Sequence, residues 1–97
     1  MNLGAAIKEI RKAKRITRKD LAAAAGISVT AMYNIETEQS MPGNETLQRL
    51  CQALDVPMSY ILVFSVTEED VPEERLILYR QFMPLLKEIL LPKEVKK

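Results

Sequence analysis

Residues 18–36, RKDLAAAAGISVTAMYNIE, carry two short apolar patterns divided by a single glycine. In the first, Leu21, Ala22 and Ala25 share one side of a two-turn helix. Thr17 offers a hydroxyl cap, and Asp20 falls three residues later, as in a capping box built with the shorter acid. Gly26 closes the element, because glycine best tolerates the left-handed conformation that follows a helix end. Ile27 then reads as a buried pivot, and Ser28 caps a further helix whose inward residues are Met32 and Ile35. The spacing predicts one helix over about residues 18–25 and another from residue 29, joined by a tight turn.

Outward from this pair, Leu3, Ala6, Ile7, Ile10 and Ala13 recur at helical spacing, with Lys8, Arg11, Lys12 and Arg15 on the other faces. An amphipathic helix is therefore expected over residues 3–14. After TEQSMPG, a fourth helix starting at Gly43 or Asn44 is expected to bury Leu47, Leu50, Cys51 and Leu54. Asp55 marks its boundary, and Val56 and Pro57 terminate it. Ser59 is expected to cap a last short turn of Tyr60, Ile61 and Leu62. Five helices in about 60 residues predict an all-α unit with a helix-turn-helix at its centre.

The pattern changes after residue 62. Val63, Phe64 and Val66 are compatible with a brief extended segment, and residues 65–72 are acidic, contain Pro72 and read as a linker between a first domain, 1–64, and a tail, 73–97. The tail, EERLILYRQFMPLLKEILLPKEVKK, is helical in pattern, with acids at its start and lysines at its end, as the helix dipole favours. Pro84 should kink this helix or break it, with the proline then in the first turn of a second helix. Its apolar residues cover more than one stripe, which is too much for a lone exposed helix. Leu78, Tyr79, Phe82, Leu85, Leu86 and Ile89 are expected to form a homodimerisation element. A cap on the same chain, or a surface for some other partner, stays open.

Composition narrows the chemistry. Of the 97 residues 47% are hydrophobic and only 5% aromatic, with no Trp and three Gly, a balance that favours helices around one core. Cys51 is the only cysteine and lies in a helical apolar pattern, so it reads as a small buried hydrophobe. There is no His. A metal site, a catalytic triad or a cofactor-dependent activity has almost nothing to be built from, so no enzyme, metal or cofactor is expected. No apolar run is long enough to span a membrane, and the amino terminus lacks a secretory core, which predicts a cytoplasmic protein. The formal charge of +1 hides its distribution. Residues 1–35 hold seven basic side chains against two acids, whereas residues 36–76 hold two against nine.

Taken together, LGAAIKEIRKAKRITRKDLAAAAGISVTAMYNIE, ETLQRLCQALDVP and SYIL, within residues 3–62, resemble the Cro/repressor-type helix-turn-helix domain of bacterial and phage regulators, the Xre family. The resemblance implies a five-helix lambda-repressor-like fold with a C-terminal helical extension. It also implies a sequence-specific transcriptional regulator that binds operator DNA as a dimer through its third helix. Thr17, Arg18 and Ser28 match the family's backbone-contacting positions, and Val29, Thr30, Tyr33 and Asn34 match those that meet base edges. Arg11 and Glu36 match a partly buried ion pair that ties the first helix to the third. Glu38 stands where the family usually has Gly, Asn44 where it usually has Leu, and the TEQSMPG loop lacks the family's frequent Lys or Arg.

The chemistry of these residues fits that implication. Asn34 can pair with adenine, and Val29 and the Thr30 methyl can meet a thymine methyl, which predicts modest, A·T-leaning readout. With no Arg or Lys on that face, grip must come from Lys8, Lys12, Lys14, Arg15, Arg18 and Lys19 along the double-stranded DNA backbone. A reading from another class stays open: an antitoxin-like or adaptor subunit that uses the same fold for protein interaction through its apolar tail. Whether a small-molecule effector takes part stays open.

Overall fold

In the computed structural model, which describes residues 1–92, three helices begin where a short polar side chain meets the first turn. Asn2 Oδ1 accepts from the Ala5 N–H at 2.7 Å, Thr17 Oγ1 from Asp20 at 3.0 Å and Ser28 Oγ from Ala31 at 3.0 Å. Each satisfies one of the amide donors that a helix start leaves unpaired. The helices are α1 Leu3–Ala13, α2 Arg18–Ala25, α3 Val29–Glu36, α4 Asn44–Leu54, α5 Met58–Ser65 and α6 Leu76–Leu90; the described residues contain no strand. Between α5 and α6 lie two single-turn 3-10 segments, Glu68–Asp70 and Glu73–Arg75.

The core is shared by α1 to α5. Ile7 and Ile10 of α1, Leu21 of α2, Met32 of α3, Leu50 and Leu54 of α4 and Ile61 of α5 are fully buried. Each such side chain contributes about 1.5–3 kcal/mol by leaving water. Helix α1 packs on α5 and α3, and α2 packs on α3 and α4, so the second and third helices lie against each other, one backed by α4 and the other by α1. Gly26 turns the chain between them at φ 72°, a value that costs glycine nothing.

Sequence patterning misplaced several details. Helix α5 runs to Ser65, so Val63 and Phe64 are helical, and Pro57 rather than Ser59 occupies its N-cap position. A continuous apolar run such as YILVF does not reveal its period, which is why the segment was open to an extended reading. Ile27 and Leu47 are only half-buried, packing at the edge of the core. The acidic segment is ordered by its own bonds: Thr67 and Asp70 form a capping box, and Arg80 pairs with Glu68 at 2.8 Å. Pro84 does not break the tail, because α6 passes through it continuously. The tail lysines Lys93, Lys96 and Lys97 lie outside the described residues.

Helix α6 has two faces. On one, the Tyr79 hydroxyl donates to the Val66 carbonyl at 3.1 Å, and Lys87 bonds Glu9 at 3.0 Å while lying over the Phe64 ring. Leu90 and Leu91 pack against the core on the same side. Tyr79, grouped in sequence with the dimerisation residues, is therefore turned toward its own globule. The other face leaves Leu78, Phe82, Leu85, Leu86 and Ile89 exposed.

Candidate nucleic-acid interface

Helix α3 has eight residues, and its outer side is set by what its inner side must bury. Met32 and Ile35 point into the core. At 100° per residue this turns Val29, Thr30, Tyr33 and Asn34 into one outward arc of roughly 140°. Val29 is 47% exposed and Tyr33 44%, Thr30 is exposed and Asn34 is half-buried. Thr17 and Ser28, at the starts of α2 and α3, are also exposed. Each hydroxyl oxygen already accepts a capping N–H, which leaves its own proton free to donate outward.

Glu36 ends α3 with a side chain that has no solvent exposure. Arg11 Nε donates to its Oε2 at 2.7 Å and Arg11 Nη2 to its Oε1 at 3.1 Å, while Arg11 Nη1 reaches the Ile16 carbonyl at 2.9 Å. Arg18 Nε donates to the same carboxylate at 3.0 Å, and its guanidinium lies 5.2 Å from the centroid of the Tyr33 ring. Burial alone would raise the Glu36 pKa; the hydrogen bonds and charges of Arg11 and Arg18 outweigh it and hold the carboxyl below its ordinary value.

The basic side chains divide. Lys8 and Lys12 stand one turn apart on α1, next to the Gly4 and Arg11 side that meets α3, and Lys19 is exposed on α2. Lys14 donates to the Asp55 carbonyl at 3.1 Å. Arg15 sits in the α1–α2 turn at φ 59°.

A family model described as helix-turn-helix matches residues 7–61. The chain belongs to that family, in its Cro/repressor-type branch. It is also similar to the "ImmF control region 10 kDa protein" of Bacillus phage phi105, at 35% identity over 72 residues, 74% of this chain and 77% of that protein. Helix-turn-helix proteins of this branch are DNA-binding regulators and usually not enzymes. Among the described residues, no helix is long and apolar enough to cross a membrane.

Two features around the helix-turn-helix lie beyond sequence patterning. Gly4 lies against the end of α3, where a Cβ would collide with the Ile35 carbonyl oxygen, so glycine is required for the close approach of α1. No local signal marks it, since its neighbours in space are some thirty positions away in sequence. Arg18, expected on sequence grounds to grip a phosphate, also shares Glu36 with Arg11 and covers one side of Tyr33. The clue was compositional: two arginines and one glutamate at helix termini that the fold brings together.

Proposed function

We propose that the protein is a transcriptional regulator that binds operator DNA as a homodimer, with α3 lying in the major groove. The observation that carries this reading is the outward arc of Val29, Thr30, Tyr33 and Asn34 beside the exposed caps Thr17 and Ser28, in a helix-turn-helix chain. The likeness to a phage control-region protein supports a regulatory role.

In this account Val29, Thr30, Tyr33 and Asn34 meet base edges, with Asn34 on adenine. Thr17 and Ser28 donate to phosphates, and Lys8, Lys12 and Lys19 supply the long-range grip, with Arg15 and Lys14 at the margin. The protein works in the cytoplasm, where its operator lies, and needs no cofactor. Fluorescence anisotropy with short duplexes between 50 and 200 mM salt tests this, since neutralising six or more phosphates predicts a loss of affinity of about a thousandfold. Salt-insensitive or absent binding would contradict the proposal.

Dimerisation is assigned to the exposed face of α6. Leu78, Phe82, Leu85 and Ile89 are spaced four, three and four residues apart, a pattern that reads the same in both directions. An antiparallel copy therefore sets Leu78 opposite Ile89 and Phe82 opposite Leu85, the self-complementarity a two-fold axis requires. With Leu86 included, the exposed parts of these side chains amount to roughly 1,000 Å² across a pair, the lower edge of a specific interface. A weak dimer completed on a two-half-site operator follows. The same apolar face keeps a second reading in play, an antitoxin-like or adaptor role, which predicts that α6 captures a different protein while DNA affinity stays negligible.

A further inference from the structure

We propose that Arg18 and Tyr33 act as one base-reading unit, positioned by Glu36, so that Arg18 governs sequence preference as well as grip. The inference rests on the operator-binding reading above. Arg11 commits three nitrogens to groups inside the protein and is a structural partner. Arg18 differs. It gives Glu36 its Nε, its side chain stays 31% exposed, and its planar group lies over Tyr33 at 5.2 Å. The four remaining N–H donors of the guanidinium belong to its two terminal amino groups.

The geometry has a direct consequence for readout. A tyrosine on the outer face of an eight-residue helix can swing about two side-chain torsions, and a mobile ring discriminates poorly. Covering one side of the ring with a cation that is itself tied to a buried carboxylate removes that freedom. Tyr33 then presents a fixed ring edge to the groove, and the terminal amino groups of Arg18 meet the phosphate flanking the base pair that Tyr33 touches. Lysine cannot replace this arrangement, because an ammonium has neither the planar group nor the Nε–H that Glu36 holds.

A phosphate-only arginine and a reading-unit arginine behave differently on mutation. Loss of the former weakens every duplex by the same factor. The test measures affinity for the duplex enriched from a random pool and for a scrambled duplex of equal length, using wild type, Arg18→Lys, Tyr33→Leu and the double variant. Melting curves for each confirm folding, and Tyr33→Phe, which keeps the ring, checks that stacking is the cause. Arg18→Lys and Tyr33→Leu are each expected to lower the ratio of the two affinities about tenfold. The double variant should lose no more than the larger single loss, and Tyr33→Phe should keep most of the ratio. Equal loss on both duplexes for Arg18→Lys, or a double variant that loses the product of the single effects, would overturn the inference while leaving operator binding intact. A pool that yields no enriched duplex for the wild type would overturn operator binding and the inference with it.

Discussion

Arg11 closes two hydrogen bonds on Glu36, at 2.7 and 3.1 Å, across a separation of 25 residues in sequence. The carboxylate is fully buried, so the pair ties α1 to the end of α3 in a place water does not reach. Removing the charge leaves two guanidinium groups facing a neutral amide. Glu36→Gln should destabilise the fold by about 3 kcal/mol at pH 7, measured by urea unfolding. The pH dependence follows from the depressed carboxyl. Its contribution is fully present above the ordinary value of 4.5 and is lost as pH falls through the lower folded value. Wild-type Tm should therefore hold between pH 7 and about 5 and drop below that, and the drop should be shallower in Glu36→Gln. Equal slopes would show that Glu36 is not the titrating group.

Gly4 bears on the same junction. Alanine is the better helix former by up to about 1 kcal/mol, yet its methyl would meet the Ile35 carbonyl oxygen. The collision is with backbone and has no flexible end to yield. Gly4→Ala should cost about 2 kcal/mol net and shift α3 relative to α1. Thermal unfolding together with amide chemical shifts of α3 would register both effects.

Glu38 offers the opposite sign. It follows α3 at φ 63°, a left-handed conformation that glycine adopts freely and a glutamate does not. Glu38→Gly should stabilise the protein by about 1 kcal/mol, read from the urea midpoint at unchanged slope. It also removes one negative charge beside the third helix, so non-specific DNA affinity should rise.

The α6 face is tested by charge. Leu85 is 56% exposed and sits next to the expected two-fold axis. Leu85→Glu would set two carboxylates against each other across that axis while touching nothing in the core. Sedimentation should show a concentration-dependent dimer for wild type and a monomer for Leu85→Glu with unchanged melting. A variant that still dimerises would move the interface away from α6.

The residues that define α1 to α4 were legible because each element carries its own local signals. Thr17 and Ser28 announce helix starts, Gly26 announces a turn, and Leu50, Cys51 and Leu54 repeat at helical spacing. Helix α5 was harder, since Val63 and Phe64 continue an apolar run that has no period. Pro84 could not be decided locally, because a proline fits a kinked helix or the first turn of a new one, whereas α6 runs through it while Tyr79 before it and Lys87 after it both bond the globule. Within the candidate interface, the outward set from Val29 to Asn34 follows from α3 periodicity. The sharing of Glu36 by Arg11 and Arg18 does not, because it depends on three helix ends meeting in space.

The most direct test of operator reading by α3 is selection of bound sequences from a random duplex pool, with wild type beside Asn34→Ala. The wild type should enrich an inverted repeat whose A·T-leaning half-sites are centred about 34 Å apart, one helical turn. Asn34→Ala should relax the preferred adenine while leaving the repeat spacing in place. A pool without an enriched inverted repeat, or an unchanged preference in Asn34→Ala, would contradict the account.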